Sequence, residues 1–326
     1  MCRLILVLAC CLFVGGCFTQ FAPPGQPIEA PFATGDSFVM PDGAQLPYRA
    51  WLPDGSPRAV MLALHGMNDS RDAWEIPGPD LAAAGVAVFA PDQRGFGATA
   101  TRGYWASGAG LVEDAGTMTS ILRRRYPRTP LYLMGESMGA AVLMVLATGP
   151  NPPAVDGYVM IAPAVWGRAK MNVLLRTSLW VASNTVPGLR LTGRGIVKVT
   201  ASDNRDALRR LSNNPLTIKG TRVDAVRGLV DLMDAALAAA PRFHERSVFL
   251  YGGRDELIPD KATAATWRAL PPGPVRAFYP DGYHLLLRDL GRAVPIADIV
   301  AWIAQPDDAL PSGADRAATD WLSHQE

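Results

Sequence analysis

Leu131-Tyr132-Leu133-Met134-Gly135-Glu136-Ser137-Met138-Gly139-Ala140-Ala141 is the stretch from which the fold is read. An apolar β-type run reaches Gly135, and small and apolar residues continue at helical spacing from Met138 to Ala147. Strand, sharp turn and helix are expected in immediate succession, with G-x-S-x-G across the turn. Small residues flank the serine because strand and helix approach so closely there that a Cβ would collide. The turn holds the Ser137 hydroxyl out at the end of a sheet. It also sets the Met138 N–H at a helix start, aimed where negative charge builds on a carbonyl oxygen. In a chain with 31 glycines the five-residue pattern is weak alone, and its partners must be found.

Working outward, residues 59–64 and 86–90 are continuous apolar runs of the kind buried on both faces of a sheet, and 157–162, 248–251 and 275–279 read as further strands. Helical patterns at 70–84, 111–126, 260–270 and 295–304 alternate with them. That rhythm predicts an α/β fold with a mostly parallel, doubly wound sheet. Two short strands at 37–40 and 46–52, around the turn Pro41-Asp42-Gly43, precede it as a hairpin. Between about 163 and 241 the rhythm breaks. Helix-like segments at 171–183, 203–211 and 223–240 and their connections carry Trp166, Leu174, Leu175, Leu179, Trp180 and Leu189. An apolar insertion between core strands reads as a helical cap over the carboxyl edge of the sheet, where ligands bind in such folds. The main domain is thus expected over 36–305, followed by a polar C-terminal tail at 306–326.

The N-terminus reads as an export signal. Met1-Cys2-Arg3 is a short positive start, residues 4–14 are apolar but too short to span a bilayer, and Val14-Gly15-Gly16-Cys17 sets small residues before a cysteine. Residues 1–16 resemble a lipoprotein signal peptide, which implies that Cys17 is lipidated and begins the mature protein. Cys2, Cys10, Cys11 and Cys17 are all the cysteines present, so cleavage leaves no internal disulfide. Residues 17–35, with Pro23, Pro24, Pro27 and Pro31, are expected to form an extended tether lifting the domain off the membrane. The expected location is the bacterial cell envelope, on the periplasmic face of the outer membrane in a two-membrane cell.

The composition, 49% hydrophobic and 19% charged over 326 residues, is that of a globular chain with a large core. A formal charge of +1 without a basic block gives no footprint for nucleic acid.

A serine hydroxyl needs a base, and the base an acid that fixes its tautomer. Among four histidines, His65 ends a core strand, His244 lies in a charged surface-like stretch and His324 in the tail. His284, in the loop after the last strand, is the expected base. Asp255 follows directly on a strand end and is the expected acid, with Asp281 and Glu256 as rivals. Ser137, Asp255 and His284 then stand in the chain order serine, acid, histidine. The Met67 and Met138 amides are expected to form the oxyanion hole, with His65 structural beneath it. Asp92-Gln93-Arg94-Gly95-Phe96-Gly97 reads as a strand-end turn whose Asp and Arg lock neighbouring loops.

The set His65-Gly66, Asp92-x-Arg94-Gly95-x-Gly97, Gly135-x-Ser137-Met138-Gly139, Gly252-x-x-Asp255-x-x-Ile258-Pro259 and Gly282-x-His284 resembles the monoglyceride lipase and lysophospholipase branch of the α/β-hydrolases, which includes proteins labelled serine aminopeptidases. The resemblance covers roughly residues 38–304. It implies an acyl-enzyme mechanism without metal or organic cofactor, acting on a small acyl ester such as a monoacylglycerol or lysophospholipid. Two departures stand out: Met67-Asn68-Asp69 where members often continue glycine-rich, and Gly139-Ala140 where they often have Gly-Gly. An amidase or aminopeptidase with the same triad is the alternative; it would need an anionic site, for which the cap offers Asp203, Asp224, Asp231 and Asp234. A non-catalytic envelope lipoprotein on a hydrolase scaffold is the third reading.

Overall fold

A computed structural model describes residues 19–192 and 199–325. The signal-like segment and Cys17 lie outside the described residues. The strands are β1 (Phe32–Ala33), β2 (Ser37–Val39), β3 (Gln45–Trp51), β4 (Ala59–Leu64), β5 (Val86–Pro91), β6 (Leu131–Glu136), β7 (Gly157–Ile161), the short cap strands β8 (Arg190–Leu191) and β9 (Thr221–Arg222), then β10 (Ser247–Gly252) and β11 (Val275–Tyr279). The helices are α1 (Pro77–Ala83), α2 (Gly108–Arg125), α3 (Met138–Ala147), α4 (Val173–Thr185), α5 (Arg205–Asn213), α6 (Val223–Ala239), α7 (Asp260–Ala269), α8 (Ala293–Ala304) and α9 (Ala314–Ser323).

Nine strands form one sheet in the order β1-β2-β3-β5-β4-β6-β7-β10-β11. From β5 to β11 neighbours run parallel, and β1 to β3 add an antiparallel edge. The mostly parallel, doubly wound sheet is as expected. Its central strands bury both faces because successive side chains point to opposite sides. In β4, Val60, Leu62 and Leu64 enter one core cluster, while Ala59, Met61 and Ala63 enter the other. The chain steps from β4 out to β5 on one side and returns to β6 on the other, so the strand order switches between β4 and β6. Their carboxyl ends frame the crevice where such sheets bind ligands.

The insertion between β7 and β10 divides into two parts. Helix α6 is rooted: Val230, Met233, Ala236 and Ala239 belong to the same core cluster as the α3 side chains. Helix α4 stands farther out and buries only Ser183. The pair β8–β9, two residues each, was not legible in the sequence because strands so short carry no periodicity.

Two terminal segments differ from expectation. The described part of the N-terminal stretch does not lift the domain away; it runs along it as a strap. The Ala22 amide donates to Trp105 O (2.9 Å), the Gly25 amide to Asp42 Oδ2 (2.8 Å) and the Ile28 amide to Pro41 O (2.7 Å), before β1 joins the sheet edge. Proline-rich composition excludes a helix, but an extended chain with free N–H groups can still dock. Beyond Gln305 the polar tail contains α9, whose Trp321 stacks on Phe278 with ring centroids 4.9 Å apart.

Candidate active site

The turn after β6 has the geometry the sequence implied. Ser137 has φ 55° and ψ −113°, a region that costs a non-glycine residue roughly 1–3 kcal/mol and persists only where the surroundings impose it. The surroundings do impose it. The Ser137 amide donates to Ile161 O (2.9 Å), and Ser137 O accepts from the Ala164 and Ala141 amides (3.0 and 3.1 Å). A Cβ at Gly135 would lie 2.5 Å from Ala140 N, and one at Gly139 2.3 Å from Leu64 O. Both glycines are therefore required by close approach, of helix to strand and of helix to the end of β4.

Asp255 and His284 meet at the same edge. The loop after β10 carries Asp255 and the loop after β11 carries His284, and His284 Nδ1 lies 2.7 Å from Asp255 Oδ2. Asp255 Oδ1 accepts the Leu257 and Ile258 amides (2.8 and 2.9 Å), which fixes the carboxylate. With Nδ1 facing the carboxylate, Nε2 is left free to take a proton. Burial alone would depress the pKa of His284, but the Asp255 carboxylate, with Glu136 behind it, raises it above the ordinary 6.5 while Arg288 opposes. The rival acids lie elsewhere: Asp281 pairs with Arg254 at the surface, and Glu256 accepts the Thr200 amide (2.6 Å).

Met67 follows β4 and Met138 begins α3, and neither amide donates to a protein acceptor among the described residues. Two N–H groups are thus available beside Ser137, as an oxyanion requires. His65 is fully buried beneath them: its Nε2 accepts the Gln93 amide (3.1 Å), so Nδ1 carries the proton and donates to Gly66 O (2.8 Å). Arg94 forks onto Asp114 and Asp42, tying α2 to the turn between β2 and β3.

Ser137, His284 and Met67 line a cavity of about 730 Å³ beneath the cap. The contribution of the cap's described residues is apolar or uncharged, including Trp166, Leu175, Leu179, Leu229 and Met233. On α4, Leu175, Ser178, Leu179 and Ala182 face inward at i, i+3, i+4 and i+7. The four cap aspartates do not line the cavity. Asp203 accepts the Leu290 amide (2.8 Å), Asp224 holds Arg222, and Asp231 and Asp234 hold Arg168.

Among the described residues the charged lining is Asp69, Glu136 and Arg288, joined in a buried bridge that carries no local sequence pattern. Glu136 stood in plain view as the x before the serine and Asp69 in the noted Met67-Asn68-Asp69 departure. Arg288 carries no spacing signal, since only the fold brings it to them.

Residues 55–291 match the hydrolase family described as serine aminopeptidase, S33. The chain belongs to this family. Among the relatives of this chain, the monoacylglycerol lipase of Mycolicibacterium smegmatis is 24% identical over 82% of this chain and 95% of its own length. The monoglyceride lipase of Rattus norvegicus is 25% identical over 87% and 94%. The crystal structure of the monoacylglycerol lipase of Paleococcus ferrophilus superposes with a TM-score of 0.65 at 21% identity, covering 79% of this chain and 98% of that one. A monoglyceride lipase from Saccharomyces cerevisiae gives 0.67 at 16%, covering 88% and 98%. The S33 chain thus has the α/β-hydrolase fold.

Proposed function

We propose that this chain is a serine hydrolase that cleaves the carboxylic ester of a monoacylglycerol through an acyl-enzyme on Ser137. The observation that carries the reading is that His284, backed by Asp255, and the strained Ser137 open together into one largely apolar, capped cavity. His284 Nε2 takes the Ser137 proton as Oγ attacks the acyl carbonyl. The Met67 and Met138 amides receive the oxyanion, and Asp255 stabilises the imidazolium. Collapse expels the alcohol with the proton from His284. Water, deprotonated by His284, then releases the fatty acid. Relatives named monoacylglycerol and monoglyceride lipase support the substrate class.

The aminopeptidase reading, favoured by the family's description alone, needs an anionic partner for a substrate ammonium. The cap aspartates are engaged elsewhere, and the two cavity carboxylates are held by Arg288.

The proposal includes an exported protein lipidated at Cys17. Cap features support a membrane setting. The outward face of α4 presents Val173, Leu174, Trp180 and Val181, exposed by 76, 77, 67 and 44%. Residues 163–241 hold twelve Lys or Arg against five Asp, a net +7 in a chain of +1, which suits an anionic bilayer. The Gln20 amide donates to Asp224 Oδ2 at the start of α6 (3.2 Å), and the three residues from there to Cys17 can span at most about 10 Å. An acyl anchor on Cys17 would therefore hold the cap edge near the membrane. Such an anchor matters because, among the described residues, no helix is long and apolar enough to cross a membrane.

The test compares kcat/KM for monoacylglycerol, lysophospholipid and aminoacyl anilides. Monoacylglycerol is expected to lead; faster anilide cleavage would favour the aminopeptidase.

A further inference from the structure

The bridge at the floor of the cavity has an arrangement that stability alone does not explain. Arg288 Nη1 donates to Asp69 Oδ2 (2.8 Å) and Nη2 to Glu136 Oε1 (2.6 Å), with all three side chains buried. Desolvating three charges for two contacts is weak stabilisation, and apolar residues of similar volume often serve a fold as well. Each member nevertheless neighbours a different part of the reaction. Asp69 follows Met67 by two residues, Glu136 directly precedes Ser137, and Arg288 follows His284 by four.

We propose that Arg288 is a positioning residue: by spanning Asp69 and Glu136 with one planar fork, it fixes the loop that bears His284 against the loops that bear Met67 and Ser137. The inference rests on the serine-hydrolase reading and extends it. Arginine suits the task because its guanidinium presents two donors at a fixed angle, whereas a lysine ammonium is a single point on a flexible stem. The same loop is gripped from the cap side, where the Leu285 amide donates to Ala201 O (2.9 Å), Ser202 Oγ to Asp289 Oδ1 (2.6 Å) and Asn204 Nδ2 to Arg288 O (2.9 Å). His284 is held from above and below.

The bridge also places charge around the base. Asp255 faces His284 from the loop after β10, Glu136 from the end of β6, Arg288 from its own loop, and Asp69 stands behind Arg288; among the described residues the cap adds no charged side chain to the cavity lining. Glu136 favours protonated His284 and Arg288 disfavours it, so removing one or the other moves the base in opposite directions. A merely structural bridge would give no such opposition.

The test is the pH dependence of fluorophosphonate labelling of Ser137 in the full chain, with Ser137→Ala as control. Arg288→Gln is expected to label about 10²-fold more slowly than wild type, the cost of a misplaced base, with its acidic limb at higher pH. Glu136→Gln is expected to shift that limb to lower pH. Arg288→Lys, which keeps the charge without the fork, should be slow with the limb where wild type has it. Wild-type speed in Arg288→Gln, or one common limb in all three variants, would overturn the proposal. An unlabelled wild type would remove the serine-hydrolase reading, and this proposal with it.

Discussion

His284 Nδ1 lies 2.7 Å from Asp255 Oδ2, and the second oxygen of that carboxylate is occupied by the Leu257 and Ile258 amides. The acid is therefore oriented by backbone it cannot leave, and the imidazole by the acid. Because the pKa of His284 is raised above 6.5 and the base must be neutral to act, the acidic limb of kcat/KM is expected above pH 6.5. Asp255→Asn should lower kcat by on the order of 10²–10⁴ and move the limb downward. Stability follows the opposite sense. A histidine whose folded pKa is raised contributes stability present below its unfolded value and lost as pH rises through the folded one. The stability difference between wild type and Asp255→Asn should accordingly shrink above that limb, as thermal unfolding across pH would record.

Gly139→Ala tests the elbow. Its Cβ would fall 2.3 Å from Leu64 O, a backbone atom that cannot swing aside. A loss of about 1–3 kcal/mol or more is expected, seen in denaturant midpoints, together with loss of Ser137 labelling.

Arg94 separates stability from chemistry. It bridges Asp114 and Asp42 away from the cavity, with its side chain 4% exposed. Arg94→Met leaves the buried Asp114 and the part-buried Asp42 without their counter-charge and should cost about 3–5 kcal/mol in denaturant unfolding. The labelling rate of the protein that remains folded should not change.

The extent to which these features were legible in the sequence follows from their range. The order of elements was readable because strands buried on both faces are continuous apolar runs; Ser137 and Asp255 each sit within a few residues of such a run, and His284 within a few residues of the last strand. The cap was readable as a break in that rhythm. What escaped depends on tertiary placement. The N-terminal strap docks through single backbone bonds such as Ala22 to Trp105, which leave no pattern. Helix α9 did have a signal, Ala314, Ala318 and Trp321 at i, i+4 and i+7, but polar neighbours masked it. The Arg288 bridge joins residues 219 and 152 positions apart, beyond any local reading.

On the proposed function, the acyl chain would occupy the cavity, whose volume would then limit its length. Leu179, on the inward face of α4, lines it. Leu179→Trp should shift preference toward shorter acyl esters, lowering kcat/KM for long-chain monoacylglycerol while sparing short 4-nitrophenyl esters; equal losses on both would argue that the chain lies elsewhere.

The outer face of α4 predicts a surface preference. Trp180→Ser should weaken cosedimentation with phosphatidylglycerol vesicles and leave hydrolysis of a soluble short ester intact. Binding to phosphatidylcholine vesicles should be weaker from the start, because the basic cap then has no partner.

The most direct measurement is fatty-acid release from monoacylglycerol by the wild type and Ser137→Ala, side by side. The account predicts release by the wild type and none by the variant, with an acyl adduct on Ser137 detectable by intact mass after rapid quench. Equal release by both proteins, or none by either on any acyl ester, would contradict it.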